Sequence, residues 1–143
     1  MRQQRVREVD LGRNSDLYIV PHRGLWGVGN GAAVPENSVP AILGAADAGY
    51  DAVELDILKV RDGFVASHDF ILPRLTESAS PGYMWDMSVA QLAALRLRDR
   101  AGALVATHLM TLDQAFAAAR QRNVILMIDT RPIKAHFVGG RCV

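Results

Sequence analysis

Short apolar runs alternate with longer segments of helical periodicity along this sequence, and that alternation limits the fold more than any other feature. The apolar runs lie at residues 17–20, 52–57, 64–67 and 124–128. Strands that alternate with helices are typical of βαβ units, in which helices cover a parallel sheet. The sequence therefore predicts an α/β fold with four parallel strands.

Capping signals mark where the predicted helices begin. A glycine-rich loop at residues 24–33 precedes a helix that Asn37 or Ser38 can cap, with Pro40 in its first turn and Gly49 at its end. Two further helix starts carry the capping-box spacing, in which Ser or Thr precedes Gln by three positions: Ser88 with Gln91, and Thr111 with Gln114.

Composition and charge are those of a soluble globular domain. The chain has 143 residues, half of them hydrophobic, and a net charge of +1, which gives no electrostatic reason to expect nucleic acid or an anionic membrane as partner. The first twenty residues lack the apolar run of a secretory signal, and no stretch is long and apolar enough for a membrane span. A single cysteine, Cys142, excludes an intrachain disulfide. We expect a cytoplasmic protein with no integral membrane segment.

The second apolar run carries two carboxylates on one face. Side chains of a strand alternate, so Val53, Leu55 and Ile57 point one way while Glu54 and Asp56 point the other, about 6.5–7 Å apart along the backbone. Their mutual repulsion in a poorly solvated site is costly unless a cation offsets it, and hard divalent cations bind such oxygens. An edge strand with one solvated face would show the same pattern.

Histidine, acidic and arginine side chains also follow the other three apolar runs. In parallel α/β folds, active sites gather at the carboxyl ends of the strands, where these side chains are expected. The combination predicts a metal-dependent site. Its candidate residues are His22, Arg23, Glu54, Asp56, His68, Asp69, Asp129 and Arg131.

Six short motifs, in order, resemble those of the glycerophosphodiester phosphodiesterase family. They are His22-Arg23-Gly24, Pro35-Glu36-Asn37-Ser38, Glu54-Leu55-Asp56, Asp62-Gly63, His68-Asp69 and Arg74-Leu75-Thr76. The family fold is a TIM (β/α)₈ barrel of about 250 residues, so the resemblance implies the N-terminal half of a barrel, about four βα units. We expect an N-terminal extension at 1–16, the partial domain at 17–131 and an irregular C-terminal tail at 132–143.

The resemblance implies a hydrolase that cleaves a small-molecule glycerophosphodiester to glycerol 3-phosphate and an alcohol. His22 and His68 would be the acid–base pair, and Ca²⁺ or Mg²⁺ would be the cofactor. In the family a glycerol hydroxyl is thought to attack phosphorus, and water then opens the cyclic phosphate. The other implied roles are metal ligation by Glu54, Asp56 and Asp129, substrate binding by Arg23 and Arg131, and support by Glu36, Asn37 and Asp69.

Two alternatives to this hydrolase remain open. One is a truncated, non-catalytic remnant that at most binds a divalent cation or phosphate, and the other is a phospholipase-type barrel phosphodiesterase. Asp129-Thr130-Arg131 stands where many family members have Glu and, two positions later, Lys, so metal choice is not fixed. Trp26 and Trp85 lie in loops, where they either cover a substrate or fill space.

Overall fold

The computed structural model describes residues 19–29, 32–131, 137–138 and 141–142, with the backbone alone at 28, 29, 32, 131 and the last four positions. The expected N-terminal extension, residues 17 and 18 of the first expected strand, and most of the expected tail lie outside the described residues. Within that tail, residues 137–138 pair antiparallel with 141–142.

Helices and short strands alternate through the described ranges. The longest helix in the described residues is Leu112–Arg122, and no helix among them has the length and apolarity needed to cross a membrane. A 3₁₀ turn at Met84–Asp86 precedes the helix Val89–Ala93. The elements are β1 (Gly27–Gly29), β2 (Ala32–Val34), α1 (Val39–Asp47), β3 (Ala52–Val60), β4 (Gly63–Ala66), α2 (Val89–Ala93), β5 (Arg96–Arg98), β6 (Leu104–His108), α3 (Leu112–Arg122), β7 (Ile125–Arg131), β8 (Phe137–Val138) and β9 (Arg141–Cys142).

A three-stranded sheet in the order β4-β3-β7 lies at the centre of the described chain. β3 and β7 are parallel, with Ala52 opposite Ile125 and Leu58 opposite Arg131. The predicted parallel pairing is therefore confirmed for these two strands. α3 leads directly into β7 and packs near α1.

The strand at residues 63–66 runs antiparallel to β3, so the prediction that it is parallel is wrong. Only the turn residues Arg61 and Asp62 separate it from β3. A connection this short produces a hairpin, because a parallel neighbour needs a crossover of a dozen or more residues. The hairpin places the residues after Ala66 beside the middle of β3, where the Ser67 N–H donates to the Asp56 carbonyl at 3.0 Å.

The first expected strand is not a regular strand in its described part, residues 19 and 20. The segment nevertheless lies along β3. The Glu54 N–H donates to the Pro21 carbonyl, and the Gly24 N–H donates to the Glu54 carbonyl, each at 3.1 Å. The β1–β2 hairpin occupies most of the expected glycine-rich loop and ends one residue beyond it, at Val34.

Side-chain alternation along β3 separates two environments. Val53, Leu55 and Ile57 are buried against a cluster that includes Ile42 and Ala45 of α1 and Ala115 and Ala118 of α3. The opposite face carries Glu54 and Asp56, followed by Leu58 and Val60. These last two pack in a second apolar cluster with Leu72, Met84, Leu92, Leu97 and Leu109. The acidic pair therefore lies on the sheet face away from α1 and α3.

The predicted helix starts are confirmed by their caps. Ser38, not Asn37, caps α1, since its Oγ accepts a hydrogen bond from the Ala41 N–H at 3.3 Å. Ser88 and Thr111 both form complete capping boxes. Asn37 is thus available for a different role.

Gly24 allows the turn after His22 to lie directly against α1. Its φ is +80°, and a Cβ at this position would be 2.6 Å from the Ala41 Cβ and 3.0 Å from the Ala41 carbonyl carbon. The Leu25 N–H also donates to the Ala41 carbonyl at 3.0 Å. Any side chain would push the turn away from the helix.

We expect Gly24→Ala to lower the free energy of unfolding by at least about 2 kcal/mol, because it adds both left-handed backbone strain and a clash with Ala41. Gly102→Ala is the matched control. Its φ is +82° but nothing lies within 4 Å of the added Cβ, so only the strain of about 1 kcal/mol remains. Urea denaturation measures both, and equal losses would contradict the close approach at Gly24.

Candidate active site

Three carboxylates from two neighbouring strands converge on one face of the sheet. One oxygen from each of Glu54, Asp56 and Asp129 lies within 4.8 Å of the others. The parallel register sets this arrangement, because Asp56 and Asp129 are directly opposite and Glu54 precedes Asp56 by one full alternation. Asp56 is buried, Glu54 is half-buried and Asp129 is exposed.

The donor set fits a hard divalent cation. All three donors are carboxylate oxygens, which Ca²⁺ and Mg²⁺ prefer. Two oxygens on opposite sides of a Ca²⁺ ion, each about 2.4 Å away, would be about 4.8 Å apart. The separations among Glu54, Asp56 and Asp129 do not exceed that value, so an ion could contact all three with small side-chain movements.

Asn37 holds Asp56 in place through both ends of its amide. Its Nδ2 donates to Asp56 Oδ2, and its Oδ1 accepts from the Asp56 N–H, each at 3.0 Å. Asn37 is buried, with a φ of +50°, a conformation that Asn adopts more readily than most residues. Asn37, which does not cap α1, therefore has a structural role in positioning Asp56.

Arg23 supplies positive charge and hydrogen-bond donors beside Glu54 and Asp56. Its backbone N–H donates to Glu54 Oε2 at 2.7 Å, and Nη1 donates to Glu36 Oε1 at 3.1 Å. Its buried Nε lies 3.3 Å from Asp56 Oδ2 in an ion pair that lacks hydrogen-bond geometry. One arginine therefore contacts two of the three converging carboxylates.

Arg74 links Glu36 to Asp69. Its two terminal nitrogens donate to the Glu36 carboxylate at 3.2 and 2.9 Å. Its Nε and Nη2 donate to the two oxygens of Asp69. Hydrogen bonds to Asp69 and then to Glu36 raise the pKa of Arg74 well above its usual value, so the guanidinium remains charged throughout.

Asp69 in turn contacts His68. The His68 Nδ1 lies 2.9 Å from Asp69 Oδ1. Partial burial raises the pKa of Asp69, but hydrogen bonds from Arg74 and His68 outweigh that effect, and the net pKa is lowered. A proton on Nδ1 donated to this carboxylate leaves Nε2 as the acceptor of the ring.

His22 lies at the other end of the network. Its Nε2 is 3.9 Å from Glu54 Oε2, and its side chain is 67% exposed. The structure thus connects both expected histidines, Arg23, the three acids and the supporting Glu36, Asn37 and Asp69. Only the side chain of Arg131 lies outside the described residues, although its backbone ends β7.

Arg74 belongs to the Arg74-Leu75-Thr76 motif, but no role was predicted for it from the sequence. Its position five residues after Asp69 is the signal that could have pointed to the contact, since a loop of that length readily returns to its start. Glu36 was expected to support the site, and its buried carboxylate lies between Arg23 and Arg74.

Comparisons with known proteins bear on the family and on the fold. The family model "Glycerophosphoryl diester phosphodiesterase family" matches residues 22–138. A comparison with curated protein sequences finds no match.

Solved structures of phosphodiesterases share this fold. A glycerophosphoryl diester phosphodiesterase from Parabacteroides distasonis is 27% identical with a TM-score of 0.67, over 81% of this chain and 39% of that one. A phosphodiesterase from Oleispira antarctica, in complex with the product sn-glycerol-3-phosphate, is 25% identical with a TM-score of 0.66, over 82% and 46%. A glycerophosphodiester phosphodiesterase from Agrobacterium tumefaciens is 26% identical with a TM-score of 0.65, over 82% and 48%.

The chain spans less than half the length of these three proteins. They are TIM barrels, so the fold here is a partial barrel, as expected. The family match covers most of the sequence. The chain therefore belongs to the glycerophosphoryl diester phosphodiesterase family.

Proposed function

We propose that this chain carries the catalytic part of a metal-dependent hydrolase that converts glycerophosphodiesters to glycerol 3-phosphate and an alcohol. The observation that supports this most directly is the convergence of Glu54, Asp56 and Asp129 beside a network that ends in two histidines. Family membership supports the phosphodiester substrate. The Oleispira antarctica relative, with sn-glycerol-3-phosphate as product, supports the glycerol moiety.

Glu54, Asp56 and Asp129 would hold Ca²⁺ or Mg²⁺, which when bound supplies polarisation of the phosphoryl oxygens. Asn37 and Arg23 fix the orientation of Asp56 and Glu54 before any ion binds. The proposed contact of Arg23 with the phosphate would use Nη2, which has no hydrogen-bond partner within the described residues. Arg131 would provide a second guanidinium group for binding the phosphate of the substrate.

His22 and His68 would transfer the protons. As the glycerol hydroxyl attacks phosphorus, one imidazole accepts its proton and the other donates a proton to the departing alcohol oxygen. Water then opens the cyclic phosphate with the roles reversed, and both histidines return to their starting states. Asp69, held by Arg74, fixes the ring of His68 for this exchange.

A second candidate is a non-catalytic remnant that binds only a divalent cation or phosphate. The departure at Asp129 and Arg131 from the Glu and Lys of many family members favours it, because a shorter acid and a cation of different shape change the contacts with the metal and the substrate. Turnover measurements on the chain separate the two candidates.

We expect His22→Ala and His68→Ala each to lower kcat at least 100-fold, because each removes one proton-transfer group. The measurement is hydrolysis of glycerophosphoethanolamine with added Ca²⁺ or Mg²⁺. His108→Ala is the control, since His108 is exposed at the end of β6 and outside the network. Metal-stimulated turnover that survives both substitutions would exclude the proposed acid–base pair. No turnover by the unaltered chain would favour the remnant.

We expect Ca²⁺ or Mg²⁺ to raise the melting temperature, because an ion that binds the folded state stabilises it by about 2.7 kcal/mol at 100 times its Kd. Asp56→Asn and Asp129→Asn should abolish the rise. Asp113→Asn, in the first turn of α3, should lower the melting temperature slightly and keep the metal response. An equal metal response in all variants would place the ion elsewhere.

The pair of Asp69 with Arg74 should make part of the stability depend on pH. The pKa of Asp69 is lowered from 3.8 in the folded chain, so its ionised form stabilises the fold above that value, and the stabilisation is lost as pH falls through the folded pKa. We expect Asp69→Asn to lower the melting temperature at neutral pH and to match the unaltered chain at the acid end of a pH series. A constant difference at all pH values would contradict this linkage.

A further inference from the structure

A small cleft lies beside the acidic network, next to Glu36 and Arg74. Its volume is about 190 Å³, and its other walls include Trp26, Arg98 and Arg100. Glu36 also accepts a hydrogen bond from Arg23, which contacts Asp56. Glu36 and Arg74 therefore belong both to the wall of the cleft and to the network of the proposed site.

The positive charges of the cleft differ in how they are compensated. Arg74 is paired with two carboxylates. Arg98 instead donates to two neutral acceptors, the Thr76 carbonyl at 2.9 Å and the Gly102 carbonyl at 3.0 Å. Neither Arg98 nor Arg100 forms an ion pair with a carboxylate in the part of the chain that the structure describes.

Besides Glu36, the wall of the cleft contains one acidic residue, Asp99, whose side chain forms hydrogen bonds within its own loop. Asp99 Oδ1 accepts hydrogen bonds from the N–H groups of Ala101 and Ala103, each at 2.9 Å. These contacts fix the turn that carries Arg98 and Arg100. The cleft thus presents two guanidinium groups whose charge the described chain leaves without an ionic partner.

The aromatic residue of the cleft wall, Trp26, already has the guanidinium group of Arg100 over its ring. The guanidinium carbon of Arg100 lies 5.5 Å from the centroid of the Trp26 ring, within the range of a cation–π contact. A quaternary ammonium group that approached this face would meet the Arg100 charge. An anionic group would instead meet two guanidinium donors, which bind carboxylates and phosphates well.

We propose that this cleft binds the alcohol moiety of the substrate and selects a moiety that carries an anionic group. The inference rests on the proposed function and names the substrate class for it. The volume of 190 Å³ is below the range of about 300–1,000 Å³ typical of sites for drug-sized ligands, so the cleft accommodates a small polar headgroup and not an acyl chain.

Two substrates that differ by one carboxylate test the selection. We expect kcat/KM for glycerophosphoserine to exceed that for glycerophosphoethanolamine about tenfold, the effect of one charge-assisted hydrogen bond. Arg100→Gln should reduce this ratio to about one by lowering only the value for glycerophosphoserine, whereas Arg100→Lys should retain part of it. Arg120→Gln, on the exposed surface of α3, is the matched control and should leave the ratio unchanged.

Binding without turnover separates failure of the inference from failure of the proposed function. In a Trp85→Phe background, the indole N–H signal of Trp26 should shift on addition of glycerophosphoserine, and Arg100→Gln should abolish the shift. If neither substrate is hydrolysed, the proposed function fails and this titration alone decides the inference. A ratio of one or less in an active unaltered chain, a ratio unaffected by Arg100→Gln, or an indole signal that does not shift would overturn it.

Discussion

Along β3, successive side chains leave opposite faces of the sheet, and both the core and the candidate site depend on that geometry. The odd positions from Val53 to Ile57 are apolar and pack on α1 and α3. The even positions give Glu54 and Asp56 a common face, and parallel pairing with β7 adds Asp129 at the same level. A shift of one residue in β3 would exchange the two faces, burying the acids against the helices and exposing the apolar core. Folding and the approach of the carboxylates are therefore coupled.

Grouping acids in this way is unfavourable unless neighbouring charges and dipoles compensate it. The described chain does so with a chain of contacts in which cations and carboxylates alternate: Asp56, Arg23, Glu36, Arg74 and Asp69. Each arginine bridges two acids, so removal of one would leave charges with fewer partners on both sides. The same contacts extend from the buried middle of β3 to the loop that carries the second histidine. Rigidity of the site and electrostatic compensation thus have one structural origin.

The sequence predicted the parts of this structure that local chemistry determines. Capping boxes and β3 alternation follow from residue type and spacing, and both were predicted correctly. The direction of β4 was also accessible, because a two-residue turn permits only a hairpin. The β1–β2 hairpin was missed because its composition is rich in Gly and Ala, which carry little strand signal. The contact of Arg74 with Glu36 and the cleft at Arg98 and Arg100 depend on segments far apart in sequence, which periodicity does not reveal.

Exposure of β7 affects how strongly the carboxylates interact. Ile125 and Met127, on the same face as Asp129, are 66% and 50% exposed, so water reaches this side of the site. Water screens charges, and the repulsion between Glu54 and Asp129 is correspondingly weak. In a closed barrel the same acids would lie in a less polar interior, where repulsion and the attraction to a divalent cation are both stronger. Closure would therefore increase the affinity for the ion, because its binding would offset a stronger repulsion among the three carboxylates.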